Sequence, residues 1–104
     1  MNNQLHQLVS EWKRWIETAD RFEDGWQEFF PKFQEVIEVV GDAMLAHNLS
    51  DNDLEDIEFV WANSSEGELL VDYSKKHKRE CFEVLKFLAK SRNPEVRWQV
   101  YEAL

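Results

Sequence analysis

The sequence predicts an all-α protein, a compact bundle of about six or seven short helices. Apolar residues recur at helical spacing in segment after segment, helix-capping signals punctuate the chain, and no segment sustains a period-two alternation. At 104 residues the chain can bury a core without disulfides or a structural metal, so residues 1–104 are read as a single helical domain.

The first helical stripe is Leu5, Leu8, Val9, Trp12, Trp15, Ile16 and Ala19, at spacings of 3, 1, 3, 3, 1 and 3, with Asn2 or Asn3 placed to cap it. Asp20 followed by Glu23 has the capping-box pattern and opens a second helix through Phe22, Trp26, Phe29 and Phe30. Pro31 stops or kinks that helix, because proline lacks the N–H that the ladder needs. A third runs from about Lys32 to His47 with Phe33, Val36, Ile37, Val40 and Met44 on one face, weakened at its middle by Gly41. Ser50 caps the next, with Asp53 in its first turn and Leu54, Ile57, Val60 and Trp61 inside.

Ser65 and Glu68 repeat the capping-box pattern before Leu69, Leu70 and Tyr73. The residues leave open whether that helix breaks near Ser74 or runs on into the stripe Cys81, Phe82, Val84, Leu85, Leu88 and Ala89. Asn93-Pro94 is a cap followed by a first-position proline. It opens a last helix carrying Val96, Val100, Tyr101 and Leu104.

Charge is distributed unevenly. Residues 1–72 hold 17 acids and four bases, a balance of −13, whereas residues 73–104 hold four acids and eight bases, a balance of +4. The acidic part repels nucleic-acid backbones and anionic lipid and attracts a basic protein. Its densest run is 51–58, with Asp51, Asp53, Glu55, Asp56 and Glu58. It is not a calcium loop: counted from Asp51, the sixth position is Asp56 where glycine is required, and the twelfth is Ala62 where Glu is required.

The helix dipole accounts for acids in a first turn, hence Asp51, Asp53 and Glu55, and leaves Asp56, Glu58, Glu66, Glu68 and Asp72 unexplained. These eight acids are either a solvated face or a partner-binding surface. Trp61 falls on the inner face of its helix, yet a partly exposed Trp beside acids is a strong interface anchor. The candidate partner-binding set is therefore Asp51, Asp53, Glu55, Asp56, Glu58, Trp61, Glu66, Glu68 and Asp72. The cationic run Lys75–Arg79 would oppose the dipole of a helix starting at Ser74. It requires either an earlier start, near Ser65, or compensation by the acidic part.

Catalytic and cofactor signals do not emerge. His6, His47 and His77 are far from one another in sequence, and no pair of histidines or cysteines has zinc spacing. There is no glycine-rich phosphate loop, nucleophile elbow or paired-carboxylate motif. No catalytic residue, cofactor or metal is predicted, and an enzyme or metal carrier has the least support. The lone cysteine, Cys81, sits on an apolar stripe and fits a buried thiol in a reducing compartment. Without a membrane-length apolar run or a leader-like N-terminus, the expected location is the cytoplasm, with neither membrane nor nucleic acid as partner.

The segment from Phe82 to Leu104, FEVLKFLAKSRNPEVRWQVYEAL, resembles a HEAT-type helical repeat. An apolar helix (Phe82, Leu85, Leu88) leads through a short turn to Asn93-Pro94-Glu95-Val96-Arg97 and a second helix closing on Val100, Ala103 and Leu104. The resemblance implies one HEAT-like helix pair at the C-terminal end of the bundle, and as a function a helical adaptor or regulatory subunit. In size, acidity and aromatic content the chain also resembles small bacterial immunity proteins of the contact-dependent growth inhibition type. That resemblance implies a monomer in a 1:1 complex with a toxin domain, a basic nuclease and foremost an RNase. Its acidic surface would occlude the active site.

Overall fold

A computed structural model describes residues 2–18, 26–46, 48–64 and 68–104. Six α-helices follow in order: α1 Asn3–Thr18, α2 Phe33–Met44, α3 Asp51–Ala62, α4 Leu69–Lys76, α5 Phe82–Leu88 and α6 Pro94–Ala103. A short 3-10 turn, Trp26–Phe29, lies between α1 and α2, and no strand occurs among the described residues. All six helices feed one hydrophobic cluster. Helix α3 packs against α1, α2, α5 and α6, and α4 packs against α2 and α6.

Aromatic packing fixes the start of the chain. Trp12 is fully buried and meets Phe30, Phe33 and Phe59 at ring-centroid distances of 5.9, 5.6 and 5.5 Å, so it joins α1, α2 and α3. Its indole N–H is satisfied by the Gln27 carbonyl at 3.0 Å. Such pairs contribute about 0.5–1.5 kcal/mol each beyond the burial of area. The helix expected through Phe22–Phe30 is, within the described residues, the single turn Trp26–Phe29. The Asp20/Glu23 capping box lies outside them. Pro31 sits in a turn, and α2 starts at Phe33 and ends at Met44, short of His47.

Gly41 has a packing role. A Cβ there would come within 3.3 Å of the Tyr73 ring, so the glycine lets α4 lie close against α2. The helix-weakening residue read in the sequence is thus a point of close approach.

The chain breaks between α4 and α5, settling the question of one helix or two. Helix α4 stops at Lys76, and a turn through residues 77–81 leads to α5. Three of its cations therefore sit at helix C-terminal ends: Lys75 and Lys76 occupy the last turn of α4, and Lys78 donates to the Leu104 carbonyl after α6 at 2.9 Å. Ser65 lies outside the described residues. Glu68, at the N-cap position of α4, adopts a left-handed φ of 51° and makes no side-chain capping bond.

Helix α6 starts as read. Asn93 accepts from the Glu95 N–H at 2.9 Å, and Pro94 occupies the first turn. Its buried face is Val96, Gln99, Val100 and Ala103. Tyr101 and Leu104, read as stripe residues, are exposed, and so is Phe82 at the start of α5. Gln99 is fully buried and donates to the Trp61 carbonyl at 2.7 Å, satisfying a carbonyl left open in the last turn of α3.

Candidate protein-binding surface

The acids of α3 divide by helical geometry into two sets. Asp51, Glu55 and Glu58, at i, i+4 and i+7, share the outer stripe: Asp51 and Glu55 are exposed and Glu58 half-buried. Asp53 and Asp56, at i and i+3, point into the fold with exposures of 3 % and 4 %.

Asp53 closes a capping box. Its Oδ2 accepts from the Ser50 N–H at 3.1 Å, and the Ser50 hydroxyl accepts from the Asp53 N–H at 3.1 Å. Its Oδ1 accepts from the Asn2 N–H at 2.6 Å, and Asn2 in turn caps α1 by accepting from the Leu5 N–H at 3.0 Å. Burial pushes the Asp53 carboxyl up, but the Asn2 and Ser50 N–H donors and the Ser50 side chain outweigh it and hold the group below its ordinary value. One turn on, Asp56 accepts from or pairs with His6 Nδ1 at 3.0 Å. Both carboxylates fasten the start of α1 to the start of α3.

Three residues expected on the partner surface are thus structural. Asp53 and Asp56 are spent on N–H donors and His6 inside the fold, and Trp61 is fully buried. Glu68 and Asp72 are exposed, at the start and in the first turn of α4. Glu66 lies outside the described residues.

A second acidic stripe was not singled out from the sequence. Glu35, Glu38 and Asp42 of α2, at i, i+3 and i+7, are all exposed. Asp42 and Glu38 border a shallow groove of about 380 Å³ with Ile37, Gly41 and Tyr73. Residues 33–62 contain eight acids and neither Lys nor Arg, and α2 and α3 present six of the eight at the surface. The signal was available as a thirty-residue stretch without a cation.

The outer stripe of α3 also forms one wall of a groove along α5. One part, about 650 Å³, is lined by Glu55 and Glu58 from α3, by Phe59 and Phe87, and by Lys90 and Arg92 beyond α5. The adjoining part, about 780 Å³, has Met44, Leu49, Leu54, Phe82 and Phe87 among its lining residues and shares Phe87 and Lys90 with the first. Glu55 and Glu58 of α3 therefore share their groove with Lys90 and Arg92, whereas α2, with Lys32 at its N-cap position, carries three outward acids and no base within the helix.

Among the described residues, no three His, Cys, Asp or Glu side chains come together as metal ligands, and no helix is long and apolar enough to cross a membrane. Cys81 is buried, with its thiol pushed above the ordinary value by that burial and by the nearby Glu80 carboxylate. His77, four residues before it, lays its ring against Tyr73 at 4.6 Å.

The fold and these surfaces define an all-helical protein with two outward acidic stripes and a groove walled by opposite charges. Comparison of the chain with protein families, curated proteins and solved structures finds no match.

Proposed function

We propose that this chain is an immunity-type inhibitor that binds a basic toxin domain, a nuclease, and blocks its active site with the acidic surface of α2 and α3. The observation that carries this reading is the outward stripe Glu35, Glu38 and Asp42 on a helix without a cation between Phe33 and Met44, together with the outward Asp51, Glu55 and Glu58 on α3. A nuclease cleft is cationic because it holds phosphates, and carboxylates spaced along a rigid helix can occupy the same positions. Long-range attraction accelerates the encounter, and close charge pairs in the complex slow dissociation. Inhibition is by occlusion, so no bond is made or broken.

The test is capture of partners from the producing bacterium at about 0.1 M and then about 1 M salt, where the screening length falls from about 10 to about 3 Å. The expected result is a basic nuclease domain that is retained at low salt, released at high salt and inhibited by the pure protein. A variant carrying Glu35→Lys, Glu38→Lys and Asp42→Lys should lose capture and inhibition while keeping its helical circular dichroism. A partner that is neutral, or binding indifferent to the triple reversal, removes the acidic surface from the mechanism.

A second reading, a helical adaptor, is favoured by α6. Trp98 and Tyr101 stand one turn apart on its outer face with exposures of 47 % and 68 %, and Trp and Tyr are the residues that dominate protein interfaces. Capture that persists undiminished at high salt and is lost in Trp98→Ala would favour this reading.

A further inference from the structure

We propose that the groove between α3 and α5 seats an amphipathic helix of a partner protein, with the cationic flank of that helix on α3 and its anionic flank on Lys90 and Arg92. The inference does not depend on the partner being a toxin.

The apolar lining is Leu54 in one part, Phe59 in the other and Phe87 in both, with the Lys13 ammonium 5.0 Å from the centroid of the Phe59 ring and with Phe82, 52 % exposed, in the part that holds Leu54. An apolar floor between charged walls is the form of site that takes the apolar edge of a helix, read as side chains at i, i+3, i+4 and i+7. The walls select the flanks. Glu55 and Glu58, successive outward positions, line the groove from α3, and Lys90 and Arg92 line it from the segment after α5, with Phe87 contributed by α5. A nucleic acid or an acidic peptide would meet the α3 carboxylates, and a wholly basic peptide would meet Lys90 and Arg92. A segment with one flank of each sign satisfies both walls. The end of the groove beside Phe82 is less polarised, because Glu83 lies 3.8 Å from Lys86 and offsets it. Selectivity is therefore set at the Glu55–Arg92 end.

Three synthetic helical peptides of about 14 residues, four turns, test this, all with the same leucine edge. One has Lys on one flank and Glu on the other, one has Lys on both, and one has Glu on both. Exchanging flanks alone would be a poor control, since a helix laid in the reverse direction exchanges them too. With the whole protein labelled for amide NMR, the mixed peptide should bind about tenfold or more tightly than either other peptide. Its shifts should centre on Leu54, Phe59 and Phe87.

Phe82→Ala should weaken all complexes without unfolding the protein. In Glu55→Lys, Glu58→Lys both walls are cationic, and preference should pass to the doubly acidic peptide. Equal binding of the three peptides, no binding of any, or shifts mapping elsewhere would each overturn the proposal. So would concentration-dependent self-association that perturbs these same residues, which would make the occupant a second copy of this chain. Glu55 and Glu58 belong to both surfaces, but the peptide assay needs no toxin and the triple reversal on α2 leaves this groove intact, so failure here and failure of the inhibitor reading are separable.

Discussion

Asp53 and Glu55 are two residues apart on α3, and the structure assigns them opposite tasks. Replacing Asp53 by Ala removes the reciprocal half of the capping box and leaves the Ser50 and Asn2 N–H groups without their acceptor. Loss of a cap costs about 1 kcal/mol. Hydrogen bonds to a charged group contribute about 1.5–3 kcal/mol each, and part of that overlaps the capping contribution. The expected total is about 2–4 kcal/mol. In a domain of this length that lowers the melting temperature by about 10–25 °C, within the stability of a typical domain.

Urea unfolding followed by circular dichroism measures this directly, with Glu55→Ala as the partner variant. Glu55 is exposed, so its truncation should stay within about 0.5 kcal/mol. The pH dependence adds an independent reading. Because the folded-state pKa of Asp53 lies below the ordinary 3.8, its ionised form stabilises the fold above that value. The contribution is lost as pH falls through the depressed folded pKa. Wild type should therefore lose an increment of stability on acidification below pH 3.8 that Asp53→Asn does not lose. Equal costs for Asp53→Ala and Glu55→Ala would refute the assignment. So would an Asp53→Ala protein of unchanged stability that no longer binds its partner.

Two further outcomes follow from the packing. Gly41→Ala gains about 1 kcal/mol of helix propensity and spends it on displacing the Tyr73 ring, so calorimetry should find it within about 1 kcal/mol of wild type. Gly41→Leu should cost about 1–3 kcal/mol or more, since α4 itself must retreat. Cys81, buried and with its thiol pushed up, should react with a disulfide reagent at neutral pH about a hundredfold or more slowly than in the urea-unfolded chain. Rapid modification of the native protein would mean that α5 opens readily.

Much of the helix order was legible because capping and periodicity are local. Ser50 with Asp53 and Asn93 with Pro94 act within four residues, and the structure forms both caps. The acidic cluster was legible as charge but not as surface. Its division needed only the wheel: with Ile57 and Val60 inside, Asp53 and Asp56, each four residues earlier, share their side of the helix. Their partners were not legible, since Asn2 and His6 lie about fifty residues away in sequence. On α6 the apolar residues misled. Val96 and Val100 are inside, but the buried face is completed by Gln99 and Ala103, while Trp98 and Tyr101 point outward. Residue type does not choose a face when a polar side chain such as Gln99 has a carbonyl waiting for it. The groove, made by α3 and a segment thirty residues later, exists only once the chain is folded.

The outward Phe29, Phe82, Trp98 and Tyr101 give the molecule several adhesive points. The net charge of −9 makes the orientation-averaged approach of identical molecules repulsive, although the basic residues 73–104 of one copy can still meet the acidic residues 1–72 of another. The net charge thus serves as colloidal protection, and that protection fades near the isoelectric point of about 4.7.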